Sequence, residues 1–391
     1  MPFYQGLPRI TTLLLVSTVL TACGGSGGSS GNATSFSDAA VIATGAFNSA
    51  GSASGAVELI DLNRTPLHSS GGYFPVPSSD ISVNTHGPHY YRIGRFQFDT
   101  VQKVDIGNPG AAEWEFSTLE AGDQASSNPH NLVFVSDTKA YLLRYGSTHA
   151  WIVNPSATRE SDFKIGELDL SHYNGGDNTV PNMTSGVIVG DRLFVVLQRL
   201  NADFSRGNPP YVAVFDVHTD TEIDTGTGTG LPGIQLQSLN PSGIAYHPEV
   251  GVLVQGVGDY GFPLNGGIDH INPDTYAMTQ LIDDTADTGA ISGMALRDAD
   301  TAYFISYAGW GDNHVFRFNP LTGEVATDAP VAGALHRNIA ALAFSPGGQL
   351  WIADATDNDH GIRVVDPATD AEQAFVPTAL PPLSLSFITS E

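Results

Sequence analysis

One short pattern recurs along the chain and limits what it can fold into. Alternating apolar residues run into an Asp or Asn, usually followed by Pro. The copies are VELIDLN (Val57–Asn63), RFQFDT (Arg95–Thr100), WIVNP (Trp151–Pro155), VAVFDV (Val212–Val217), IDHINP (Ile268–Pro273), VFRFNP (Val315–Pro320) and IRVVDP (Ile362–Pro367). These seven copies lie mostly about 45 to 60 residues apart. Period-two alternation marks a strand, and the closing Asp/Asn-Pro marks a turn. A fixed repeat of this length means stacked supersecondary units rather than one continuous sheet.

Two further elements precede the later copies. One is a small or Pro-containing lead into a short apolar strand, as in NPHNLVFV from Asn128, NPSGIAYHP from Asn240 and NIAALAFSP from Asn338. The other is a second strand, such as KAYLLRYG, RLFVVLQRL or TAYFISYAGW. Each unit then reads strand, tight turn, strand, variable loop, strand, turn, strand, which is a four-stranded antiparallel propeller blade. The ends of the chain complement each other. PPLSLSFI (Pro381–Ile388) reads as an inner strand with no third strand after it, while Ala39–Phe47 reads as a second strand with no first strand before it. The expected fold is therefore an all-β, seven-bladed propeller, closed by a C-terminal strand at about 381–388 that completes the first blade. Blade two, about Ile81–Asp105, fits worst, and a six-bladed or distorted ring stays open as the alternative.

This pattern resembles the YVTN/YncE-like propellers, also known as surface-layer or lactonase-type, and the cobalamin-binding propeller lipoproteins of gut bacteria. The likeness covers nearly all of the chain beyond the tether and speaks to architecture more than to ligand. WD-repeat propellers match less well, because the GH…WD punctuation is missing.

The N-terminal segment reads as a targeting signal. Arg9 precedes an apolar run from Ile10 to Leu20, about the length of a secretory core and short for a membrane span. The run ends in Leu20-Thr21-Ala22-Cys23, which resembles a bacterial lipobox. That resemblance implies cleavage before Cys23 and lipid (palmitate among the acyl groups) on the new terminus. Residues 1–22 are then a signal peptide, 23–36 an acylated Cys with a Gly/Ser tether, and 37–391 the propeller. Gly24 is not the Asp associated with inner-membrane retention, so the expected location is the outer membrane, lipid-anchored, on an unspecified leaflet. Cys23 is the only cysteine, which leaves no intramolecular disulfide and no CxxCH haem site. With 41 Asp+Glu against 16 Lys+Arg, nucleic acid is an unsuitable partner. The plain reading of that acidity is solubility.

Antiparallel alternation places the loops between second and third strands on one face, together with the leads into the next inner strands. Those loops are long and carry Tyr145, His149, Trp151, Arg199, Phe204, Arg206, Tyr260, Phe262 and Trp310; the leads add His130 and Arg337. Aromatics there could stack on a ring system, and arginines could hold carboxylate or phosphate groups. The competing reading is that they pack the loops against each other. His86 and His89 are also read as belonging to a lead. With His314 and His360, they form the candidate transition-metal ligands. Asp312-Asn313 and Asp357-Asn358-Asp359 offer oxygens for calcium, or simply form turns.

No GxSxG elbow, P-loop or dinucleotide fingerprint occurs, so no cofactor beyond such an ion is expected. The leading expectation is a monomeric, non-catalytic envelope lipoprotein that captures a small molecule or docks an outer-membrane transporter or other envelope protein. Resemblance to the cobalamin-binding propellers makes a corrinoid one candidate. A metal-dependent lactonase-like hydrolase on the same face is the first alternative, and an envelope scaffold the second.

Overall fold

The structure, a computed structural model, describes residues 35–47 and 53–390. The expected signal peptide, Cys23 and nearly all of the tether lie outside the described residues.

Seven small antiparallel sheets form a ring. Blade one runs, from axis to rim, Pro382–Ile388, Ala39–Phe47, Ala53–Asp61 and Ser69–Val76. Blade two is Ile81–His86, His89–Gly94, Thr100–Asp105 and Ala112–Ser117. Blade three is Pro129–Ser136, Lys139–Arg144, His149–Val153 and Lys164–Asp169. Blade four is Met183–Val189, Arg192–Leu197 and Tyr211–Asp216, with an outer position shared by Thr221–Glu222 and Ile234–Gln235. Blade five is Pro241–His247, Gly251–Gly256, Gly267–Ile271 and Met278–Asp283. Blade six is Ala290–Leu296, Ala302–Tyr307 and Asn313–Phe318; its fourth position is held only by a bridge between Phe318 and Val325. Blade seven is Ile339–Phe344, Leu350–Asp354, Gly361–Asp366 and Ala371–Pro377.

Both faces of each sheet are buried, so both residue sets of the period-two alternation are apolar in the second and third strands. In blade three, Tyr141 and Leu143 face blade four, while Ala140 and Leu142 face blade two. Seven apolar clusters result, one at each blade interface. The ring closes as the chain ends require: Pro382–Ile388 pairs with Ala39–Thr44 and packs against the inner strands of blades two and seven.

The repeated Asp/Asn has a structural cause. Its side-chain oxygen accepts the backbone N–H two residues on, at Asp61, Asp105, Asn154, Asp216, Asn272, Asn319 and Asp366, with distances of 2.7–3.0 Å. All seven blades therefore share this turn between third and fourth strands. The blade-two copy is corrected by this observation. RFQFDT is not its third strand; most of it is the loop after the second strand. The true copy is Thr100–Asp105, which lacks the Pro that marked most others, and blade two is a complete four-stranded blade.

Candidate ligand-binding face

Two structural devices repeat at one end of the inner strands. The first is a left-handed residue just before the strand: Asn128, Asn182, Asn240 and Gly289 have φ of 45–64°. Gly and Asn tolerate this region best. In blades two to five the lead runs alongside the residue that follows the second strand, whose N–H donates to a lead carbonyl: Arg95 to Asp80, Tyr145 to Asn128, Gln198 to Asn182 and Val257 to Asn240. The second device is a bulge. In six blades the inner strand breaks register at this end, and blade two is the exception. A bulge re-aims the skipped side chain. The skipped residues include His130, Ser185 and Ser242.

These devices build a cavity of about 570 Å³ lined by, among others, Arg95, His130, Tyr145, Ser185, Gln198, Asn240 and Tyr260. Arg95, Tyr145 and Gln198 occupy the same position in successive blades, immediately after the second strand. They are joined in a chain. The Arg95 guanidinium lies 2.6 Å from His130 Nε2. The His130 ring stacks on Tyr145 with centroids 4.4 Å apart. The Tyr145 hydroxyl donates to Gln198 Oε1 at 2.9 Å, and Gln198 Nε2 donates to Asn240 Oδ1 at 2.7 Å. Burial, reinforced by the Arg95 charge, holds His130 well below the usual imidazole range. The ring is neutral at pH 7 and can accept from Arg95. Burial pushes the Tyr145 hydroxyl up to about 12. Asp80, 3.4 Å from Arg95 Nε, partly balances the one cation at the wall.

The face that holds this cavity also carries exposed aromatics, of which Tyr260 lines the cavity itself. Among the described residues, the exposed large aromatics are Phe47, Phe96, Phe204, Tyr260, Phe262 and Trp310. All six lie at the end of the second strand or in the loop that follows it, and so on this one face. Phe262 and Trp310 are 88% and 76% exposed. A larger cavity, about 650 Å³, opens on the opposite face between blades one and two. It is lined by Phe36, Thr85, Pro88, Ile106 and Ile388 among others, with no chain of convergent polar groups and no exposed aromatic rim. The smaller cavity is the better candidate for that reason.

The expected site residues divide. His130, Tyr145 and Tyr260 line the cavity; Phe204, Phe262 and Trp310 stand at loop tips. Trp151 does not line it: the side chain is buried between blades two and three, 4.3 Å under the Arg144 guanidinium. His149 lies away from it, 3.7 Å from Asp169 of the outer strand. The three expected anion-binding arginines have partners already. Arg199 donates to the carbonyls of Tyr173 and Pro209, Arg206 pairs with Asp259 at 2.8 Å, and Arg337 pairs with Asp354 at 2.7 Å and Asp359 at 2.6 Å.

The expected metal set does not come together. His86 and His89 flank the turn between the first two strands of blade two, so they sit on the opposite face, not in a lead. His86 contacts Asp137 and His89 contacts Glu113. His360 lies in the blade-seven loop, and His314 instead meets Asp312 and His336. At the second calcium candidate, Asp359 already faces the Arg337 and Arg363 guanidinium groups. Sequence reading missed Arg95, Ser185, Gln198 and Ser242 as cavity residues; aligning the ends of the second strands would have found Arg95 and Gln198.

No family model matches the chain, and no curated protein sequence matches it. Solved structures do. A Lactobacillus plantarum protein is 13% identical, with TM-score 0.60 over 90% of this chain and 99% of that one. A catalytically inactive virginiamycin B lyase from Staphylococcus aureus, solved with quinupristin, is 12% identical, with TM-score 0.52 over 80% and 92%. Apo AztD from Citrobacter koseri is 14% identical, with TM-score 0.50 over 90% and 98%. The likeness shows the fold. At these identities it carries no activity across.

Proposed function

We propose that this chain is a binding lipoprotein of the bacterial envelope, anchored through Cys23 at the outer membrane, whose loop-rich face captures a small molecule. The observation that carries the reading is the confinement of the exposed aromatics to the face that holds the polar cavity. Loops on a rigid scaffold are where binding residues concentrate, and large aromatics on them supply contact area for a ligand. A polar cavity with an aromatic rim suits a ring-bearing ligand rich in hydrogen-bond acceptors: the rim stacks, while Arg95 and the hydroxyls orient. The same rim would serve if an envelope partner received the ligand from this face.

Mass measurement on the full chain purified gently from its host tests both halves. Under denaturing conditions the mature chain should begin at Cys23 and carry acyl mass. Under native conditions it should carry a small molecule that a Tyr145→Ala, Gln198→Ala double variant loses. Identical native spectra for the two proteins would sink the capture site, and an unlipidated N-terminus would sink the anchor. Recovery of the ligand in altered form would favour an enzyme such as the lyase the fold also accommodates.

A further inference from the structure

Asp312, His314 and His336 are brought together by backbone geometry on the loop-rich face. Asn313 and Arg337 form an antiparallel bridge, with Asn313 N–H donating to Arg337 O at 2.8 Å and Arg337 N–H donating to Asn313 O at 3.3 Å. Residues on either side of a bridged pair share the opposite face of the ribbon. Asp312 and His314 flank Asn313, and His336 flanks Arg337, so all three fall on one side. Arg337 itself points away, toward Asp354 and Asp359, and leaves no guanidinium against the cluster. The loop bearing Asp312 is closed by its own hydrogen bonds, Asp312 N–H to Gly309 O and Ala308 N–H to Asp312 O, both 3.1 Å. His336 is held at φ 52°, a region costly for a residue with a side chain.

The donor atoms suit a metal. They lie within 4.8 Å of one another. His336 Nδ1 is 2.5 Å from Asp312 Oδ1, and His314 Nε2 is 3.7 Å from the same oxygen. His314 Nε2 is buried, with no hydrogen-bond partner among the described residues. A buried, unpartnered imidazole nitrogen beside a carboxylate and a second imidazole lacks a partner, and a metal ion shared by all three would supply it. We propose that Asp312, His314 and His336 bind a divalent transition-metal ion. Two imidazoles and one carboxylate suit zinc, cobalt, nickel or copper rather than calcium or magnesium. Metal–ligand bonds of about 2.0–2.2 Å set tetrahedral ligand atoms about 3.4 Å apart, so the His336–Asp312 pair must open to admit the ion while His314 closes in. His336, 74% exposed, is free to make most of that movement. Three protein ligands would leave a fourth position open on this face.

A second trio, His89, Asp105 and Glu113, fits less well. The Lys103 ammonium already lies 2.9 Å from Glu113, where it opposes an incoming cation. The Asp312 cluster is independent of ligand capture in the cavity, and its test does not involve that ligand. The full chain, stripped with a chelator, is titrated with cobalt(II) and then zinc(II). Visible absorption and the metal content after gel filtration are followed. One equivalent is expected, with cobalt bands of four- or five-coordinate intensity that zinc bleaches. His314→Ala and His336→Ala should each weaken binding at least about 100-fold, since loss of even an outer-shell partner typically costs 10–100-fold. His89→Ala should bind as the parent does. Failure of the parent to bind, or equal binding by the parent and the His314→Ala, His336→Ala double variant, overturns the site. Loss in His89→Ala alone reassigns the metal to blade two and overturns it equally.

Discussion

His130 couples the candidate cavity to pH. Its bulge turns the ring toward Arg95 and Tyr145, and burial together with the Arg95 charge keeps it neutral. Unfolded, the same side chain titrates near 6.5. Its folded value is lower, so between the two values the unfolded chain binds more protons. Stability therefore rises with pH in that window and is lost as pH falls below about 6.5. The slope from one such group is at most about 1.4 kcal/mol per pH unit. His130→Asn removes the titrating ring. Urea midpoints measured between about pH 5 and 7 should fall less steeply with acid in the variant than in the parent. Parallel slopes would mean that His130 is protonated as easily in the folded state as outside it.

The repeated unit shows most clearly what the residues reveal before any coordinates. Six of the seven turn-forming Asp/Asn residues stood out because an apolar alternation preceded them and, in most cases, Pro followed. Asp105 did not, because Ile106 and Gly107 follow it and RFQFDT nearby imitates the pattern with alternating Phe. The period-two pattern does not separate the two ends of blade two's inner strand, and His86 and His89 flank the turn at its far end rather than a lead. Trp151 misled for a related reason: as the third residue of its strand it points between blades, although the loop beside it faces the cavity side. The bulges left no trace in composition, so the serines they re-aim were invisible. What the turn contributes can be measured in blades five and six. Asn272 Oδ1 accepts from the N–H groups of Asp274 and Thr275 at 2.9 and 3.0 Å, and Asn319 Oδ1 accepts from Leu321 and Thr322 at the same distances. Replacement by Ala should cost about 1 kcal/mol at each position, as loss of a comparable side-chain cap does. Asn→Asp, which keeps the acceptor, should cost little. Urea unfolding of the four variants separates the two outcomes, and equal losses for Ala and Asp would argue that the turn is held by the backbone alone.

At the scale of the ring, stability depends on a strand that arrives last. Pro382–Ile388 completes blade one and contributes to the interfaces on both its sides: Phe387 packs edge-on to Trp351 of blade seven with centroids 5.2 Å apart, while Ser386 meets Thr85 of blade two at 2.7 Å. Buried Glu58 orients the approach by accepting Ala379 N–H at 3.0 Å and Ser69 Oγ–H at 2.6 Å. Past the strand, Ser390 N–H reaches Asp38 at 2.6 Å. A chain ending at Leu380 would leave Ala39–Phe47 as an open edge and strip the cover from the apolar residues that face Phe387 and Ile388. Unpaired edges of this kind invite association between chains. The shortened chain should aggregate or unfold without the single cooperative transition of the parent, and co-expression of a fragment spanning residues 378–391 should restore part of the soluble, cooperative species. A shortened chain that stays monomeric, with an unchanged unfolding midpoint, would show that the other six blades hold the ring without its closing strand.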